Sequence, residues 1–297
     1  MGQVNEKTGE LRTARYDPEL MVEAYQFQGV MQAFPSHFHE HYVVGFIERG
    51  RRKLTCRGEQ TITAPGDLLL FNPGENHACE GAVDQPLDYR CLNIAPDVMA
   101  KAAREIFGGE SAPVFAQSVV FHCELIPDLR ELHAMILRGE TGVQKEERFF
   151  FLLEQLLRDY AHAGSPCPPE RRAEVQAVCD YLKAHLDEPV SLDALASVAN
   201  LSKYHLLRSF TRETGITPYS YLETLRIDRA KALLKAGETP ANVALATGFW
   251  DQSHFSNTFK RQIGLTPGQY RRVFWQERLE DEPEQPSDDP STKTGER

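Results

Sequence analysis

His37, His39 and His41 alternate along one short stretch, and His77 follows a Pro73-Gly74 turn further on. Alternate residues of an extended chain share a face. The first three imidazoles therefore point one way, and a neighbouring strand can bring the fourth beside them. Imidazole nitrogens bind Zn, Ni, Fe or Cu, so His37, His39, His41 and His77 are candidate metal ligands. The same side chains can instead line a pocket for an organic ligand. For that pocket the expected lining is His37, His39, Tyr42, His77 and Arg90.

A second constellation lies in the last third of the chain. The segment Ser202–Tyr221 recurs as Asp251–Tyr270 at an offset of 49, with His205/His254, Phe210/Phe259, Arg212/Arg261, Gly215/Gly264, Thr217/Thr266, Pro218/Pro267 and Tyr221/Tyr270 as identical pairs. Two copies of one supersecondary unit imply two similar surfaces at a fixed separation. Upstream, Leu195-Ala196 matches Val243-Ala244 at an offset of 48, so the second copy has one extra residue in its turn, at or beside Trp250.

The elements that must position these surfaces can be read from their ends. Ser191 suits the cap of a helix, Asn200 the turn after it, and Ser202 the cap of a second helix that stops at Gly215. In the second copy Thr239-Pro240 starts a helix, Gly248 breaks it, Asp251 caps the next and Gly264 ends it. Each copy is thus a helix-turn-helix. Leu206 with Phe210, and Phe255 with Phe259, lie four apart and face the core. Tyr204, Leu207, Arg208 and Thr211 then point outward, as do Gln252, Ser253, Ser256, Asn257 and Lys260. Such side chains pair with base edges and phosphates, so double-stranded DNA is the expected partner. Thr217-Pro218 opens a spacer helix to about Lys235, with Tyr221, Leu222, Leu225, Ala232 and Leu233 as its buried side. At ~18 residues it spans about 27 Å, which could set two recognition helices roughly 34 Å apart, one turn of DNA.

Residues 171–274 resemble the DNA-binding domain of AraC/XylS-type transcriptional regulators, above all over Val243–Arg271. The resemblance implies base-reading roles for Tyr204, Leu207 and Arg208 in one helix and for Gln252, Ser253 and Asn257 in the other, with Lys203 and Lys260 in the same interface. Leu207 departs from the pattern, since it can touch a thymine methyl but cannot hydrogen-bond. Residues 16–160 resemble the cupin-like sensor domain of the same regulators. His37, His39 and His77 stand where cupin metalloproteins carry ligands, but Val43 and Val44 occupy the places of the usual Glu, and Glu48 is too far along. No resident cofactor is therefore expected, a divalent metal being the alternative, and a small-molecule effector is preferred.

Composition bounds the rest. The chain has 297 residues and a net charge of −10, which looks wrong for a DNA binder, but the charge is segregated. Residues 171–275 hold 14 Lys/Arg against 10 Asp/Glu, residues 1–170 hold 16 against 25, and residues 276–297 hold 3 against 8. Only the repeat segment is basic. The six cysteines show no Cys-x-x-Cys pattern, which suits a reduced compartment. No run of about 18 apolar residues suggests a membrane span, and Met1–Lys7 has no signal-peptide pattern, so a cytoplasmic protein without membrane contact is expected.

Residues 16–121 read as strands, with short β-rich runs at 41–48, 51–57, 67–72, 89–94 and 118–122 punctuated by Gly and Pro, as in a sandwich or barrel. Segments 127–138 and 142–161 read as helices. The second carries Phe149, Phe150, Phe151 and four leucines, too apolar for one buried stripe, so part of it could form a dimer seam. The expected fold is α+β: an N-terminal cupin-like β-barrel with a helical dimerisation segment (16–160), a linker (161–170), an all-α tandem helix-turn-helix domain with a self-contained core (171–274), and an acidic disordered tail (276–297). The expected function is a homodimeric regulator, an activator, controlled by a small molecule, with RNA polymerase as a further partner. It is not expected to be an enzyme. A metal-dependent cupin enzyme fused to a DNA-binding module is the alternative.

Overall fold

A computed structural model describes residues 3–5, 9–82, 85–108, 112–163 and 171–279. Most of the expected linker (164–170) and most of the expected tail (280–297) lie outside the described residues. The first domain runs β1 (Gln3–Asn5), β2 (Glu10–Asp17), β3 (Val22–Val30), β4 (Phe34–His37), β5 (Tyr42–Arg49), β6 (Arg52–Cys56), β7 (Glu59–Thr63), β8 (Leu68–Phe71), β9 (His77–Gly81) and β10 (Leu87–Ile94). It continues with α1 (Pro96–Phe107), β11 (Pro113–Phe115), β12 (Val119–Val120), α2 (Ile126–Arg138), α3 (Val143–Tyr160) and β13 (Ala161–Ala163).

Seven strands form an antiparallel sheet in the order β1-β2-β3-β10-β5-β8-β12, and four form a second sheet, β4-β9-β6-β7. The larger sheet is covered on both faces, which is why six consecutive residues of β5, from Tyr42 to Ile47, are buried. Tyr42, Val44 and Phe46 pack with Leu68, Leu70, Leu92 and Ile94 against α1–α3. The alternate residues, Val43 among them, face inward with Leu69, Phe71 and Cys91 toward Leu54 and Cys56 of the smaller sheet. Gly45 leaves room for Tyr89 on the neighbouring strand, whose ring occupies the space a side chain at 45 would need.

The second domain runs α4 (Ala173–Ala184), α5 (Leu192–Ala199), α6 (Lys203–Thr214), α7 (Pro218–Lys235), α8 (Pro240–Ala246), α9 (Gln252–Ile263) and α10 (Pro267–Leu279). Its caps are those the residue types imply. Ser191, Ser202, Thr217, Thr239 and Asp251 each accept a backbone N–H three residues on, each worth about 1 kcal/mol. Asn200, Gly215 and Gly264 close their helices with left-handed backbone.

Several expectations are corrected. Helix α1 lies in a segment read as β, although Pro96 starts it and the left-handed Gly108 stops it. Strands β2, β3, β4, β7 and β9 were not among the expected runs, and the run at 118–122 shrinks to β12 before His122 turns left-handed. On α7, Ala232 is exposed and Leu233 only half-buried, while Leu234 is fully buried. Nor is the core of the second domain self-contained. Val243, Phe249, Phe255, Phe259, Leu265 and Tyr270 form one cluster with the inner barrel residues Tyr25, Phe27, Val43 and Phe71. Phe38, from the loop after β4, plugs the cluster of α4–α6, its ring 5.1 Å from that of Tyr221. Arg12 donates to the carbonyl of Gly264 at 2.6 Å, Gln32 to that of Arg261 at 2.9 Å, and the Tyr270 hydroxyl to Glu23 at 3.1 Å.

Candidate ligand pocket and DNA-facing surface

The inner faces of both sheets converge on one pocket. His37 closes β4, His77 opens β9, and the two are cross-strand partners. His39 and His41 follow in the loop to β5. Ring centroids are 4.7 Å apart for His37–His39 and His37–His77, 5.1 Å for His39–His77 and 4.9 Å for His39–His41. All four histidines line the pocket with Phe71, Tyr89, Cys91 and Asn93, and the second domain adds Lys231 from α7 and Gln262 and Ile263 from α9. The cavity volume is about 100 Å³.

Burial keeps these imidazoles neutral. Desolvation, helped by the His77 ring nearby, pushes His37 down to about 3. Desolvation pushes His77 down to about 4. His39 and His41 are lowered well below the usual histidine range, again by desolvation first, with neighbouring histidines and the Lys231 ammonium adding to it. The Nδ1 atoms of His37 and His77 lie 2.6 Å and 3.0 Å from the carbonyls of Pro35 and Glu75. A carbonyl only accepts, so both Nδ1 atoms carry the proton and both Nε2 atoms keep a lone pair.

Two expected lining residues are elsewhere. Tyr42 is adjacent to His41 in sequence, so its side chain crosses to the opposite face of the sheet. There it is fully buried, donates to the Pro113 carbonyl at 2.7 Å and meets Phe115. Arg90 fails by the same parity. Tyr89, Cys91 and Asn93 face the pocket, while Arg90 lies on the outer side, 3.3 Å from Glu48, which also pairs with Arg130 at 2.7 Å. The alternation along β10 was a signal that could have found Tyr89 and Asn93. No local signal pointed to Lys231, Gln262 or Ile263.

On the second domain, Lys203, Tyr204, Leu207 and Arg208 occupy exposed positions of α6, and Gln252, Ser253, Asn257 and Lys260 exposed positions of α9. Leu206, Phe210, Phe255 and Phe259, on the opposite faces, are completely buried. Lys203 also pairs with Asp193 at 2.7 Å. Neither helix has an acidic residue in its first turn. Helix α6 is capped by the neutral Ser202, which leaves its positive end suited to phosphate, whereas the Asp251 carboxylate already caps α9.

Comparison with known proteins agrees with this arrangement. Residues 19–159 match the model of the AraC-like ligand binding domain and residues 195–273 that of a helix-turn-helix domain. An uncharacterized HTH-type transcriptional regulator, YbfI of Bacillus subtilis (strain 168), is 50% identical over 246 residues, covering 82% of this chain and 90% of that protein. The chain belongs to the AraC/XylS-type transcriptional regulators. As a member of that family it is a DNA-binding regulator under the control of a ligand-binding domain. The arabinose operon regulatory protein of Salmonella typhimurium (strain LT2) is 29% identical over 246 residues, 77% of this chain and 83% of that one. Crystalline apo ToxT from Vibrio cholerae shares the fold at 14% identity, with a TM-score of 0.56 over 88% of this chain and 99% of that one. Among the described residues no helix is long and apolar enough to cross a membrane.

Proposed function

We propose that this regulator is a cytoplasmic, homodimeric activator whose small-molecule effector enters the histidine-lined pocket and acts on DNA binding through α7 and α9. One observation carries the reading: the pocket wall is made by both domains. Lys231 sits on the spacer helix, and Gln262 and Ile263 sit at the end of the helix whose start bears Gln252 and Ser253. A ligand shifts an equilibrium only through contacts that differ between states. Here any change of packing between barrel and α9 alters both the pocket and the placement of the second recognition helix.

DNA is read by Tyr204, Leu207 and Arg208 from α6 and by Gln252, Ser253 and Asn257 from α9, with Lys203 and Lys260 on phosphates. Dimerisation uses α3, where Val143, Phe150 and Phe151 remain exposed beside buried Phe149, Leu152 and Leu153. Leu245 and Trp250, 78% and 92% exposed next to α9, offer apolar surface for a protein bound beside the operator, which for an activator is RNA polymerase.

Binding to DNA pools randomised at each half-site tests the bipartite reading. Arg208→Ala should cost about 1–3 kcal/mol on specific DNA, and Asn257→Ala should relax preference about one helical turn away. Loss of preference at the same base pairs in both variants would refute it.

A further inference from the structure

The four clustered histidines have more order than an organic pocket requires. The ligand nitrogens of His37, His39 and His77 all lie within 4.8 Å of one another. Three nitrogens around a zinc-type ion sit roughly 3.3 Å apart for metal–nitrogen distances of about 2.0–2.1 Å, so small ring rotations would close the site. Two of the rings are already oriented. The protons of His37 and His77 point at the carbonyls of Pro35 and Glu75, the outer-shell arrangement that fixes the tautomer of a metal-binding histidine and raises its basicity. The His77 ring is further clamped by a stack on Phe71 at 3.9 Å. The next imidazole, His41, has a buried Nε2 with no hydrogen-bond partner.

We propose that His37, His39 and His77 form a three-imidazole site for one divalent first-row transition ion of the zinc type, and that the second domain senses its occupancy through Lys231. The proposal rests on the pocket reading given above, of which it names the input. The donor set decides the class of ion. Three neutral nitrogens without a carboxylate suit Zn²⁺ and its neighbours, and exclude Ca²⁺ and Mg²⁺, which demand oxygen. Three protein ligands leave a fourth position open toward the pocket, for water or for a donor atom of an effector.

The coupling follows from charge. Lys231 lines the same pocket as the three imidazoles and is itself buried. Its ammonium and a dipositive ion held by those imidazoles repel each other with little screening by water. Ion binding therefore pushes against the seat of α7 on the barrel. By reciprocity, whatever holds α7 in place weakens the ion.

The test uses the full chain, with Zn²⁺ and Co²⁺ as probes. About one ion per chain should survive dialysis, and Co²⁺ should give the intense visible absorption of a four-coordinate site. His39→Ala removes a half-buried ligand and His77→Gln a buried one, and each should weaken the ion by more than about 100-fold with native circular dichroism retained. Lys231→Met should keep the stoichiometry but lose the effect of the ion on DNA affinity. Sub-stoichiometric metal, or metal content unchanged in both folded histidine variants, would overturn the site. Metal-insensitive DNA binding by the loaded protein would overturn the coupling. A chain that binds DNA without holding metal defeats this proposal alone, whereas one that holds metal and binds no DNA defeats the regulator reading instead.

Discussion

The two helix-turn-helix units have nearly the same local sequence but different surroundings. The first packs α4, α5 and α6 around Val178, Leu182, Leu206 and Phe210, and among the described residues its apolar cluster takes only Phe38 from the barrel. The second shares a continuous apolar cluster with the barrel interior and is tied to it by Arg12, Gln32 and Glu23. One unit is thus largely a free reader of DNA, and the other is held by the sensor. On the proposed reading, a signal from the pocket would reach the second unit first, because that unit shares its apolar cluster with the barrel.

The largest test of this asymmetry is truncation of matched phenylalanines. Phe210→Ala and Phe259→Ala each remove a completely buried ring and should cost about 3–5 kcal/mol. Hydrogen exchange should show the first loss confined to α4–α6 and the second spread into β3 and β4. Unchanged protection of the barrel in Phe259→Ala would mean the cores are separate after all.

Acid should separate the regions next. His133, on α2, is buried against the sheet with Nε2 on the Tyr25 carbonyl at 2.9 Å, and desolvation lowers it from 6.5 to about 4. The unfolded chain therefore takes up a proton below pH 6.5 that the folded chain refuses. The stability that neutral His133 allows is complete above that pH and is lost as pH falls toward about 4, by about 3 kcal/mol in all. Denaturant titrations between pH 7 and pH 4 should show a shallower fall in His133→Leu than in the parent, with the α4–α6 unit indifferent to the substitution. Equal slopes would dismiss His133 as one of the acid-labile groups.

The smallest effect concerns a single link. Arg12→Ala leaves the buried Gly264 carbonyl without that donor, a loss of about 1–3 kcal/mol. It should lower protection of α9 and leave α6 as it was. An equal change in both recognition helices would show that Arg12 supports the whole domain rather than the second unit.

Legibility differed between domains for a physical reason. The helical domain could be read almost residue by residue, because caps and stops act over three or four residues: Ser202 on His205, Asp251 on His254, Gly264 at a left-handed backbone. In the barrel, His37, His39 and His77 were found because their spacing is itself a pattern. Tyr42 and Arg90 were misplaced although the rule was at hand, since a neighbour of His41 or Tyr89 must face the other way. Helix α1 had its Pro96 and Gly108 signals but was overridden by the β-rich run around it.

The sequence by itself determined the family, the two capped helix-turn-helix units, the spacer from Pro218 to Lys235 and the histidines that could meet. All of these rest on interactions between near neighbours or on a repeat that can be counted. Only the tertiary structure decided that the sheet is covered on both faces, that Phe38 enters the first unit, and that Lys231, Gln262 and Ile263 complete the sensor pocket. Those contacts include pairs more than two hundred positions apart, and they form because apolar surface on one domain is removed from water by the other. Neither surface carries a local mark of its partner.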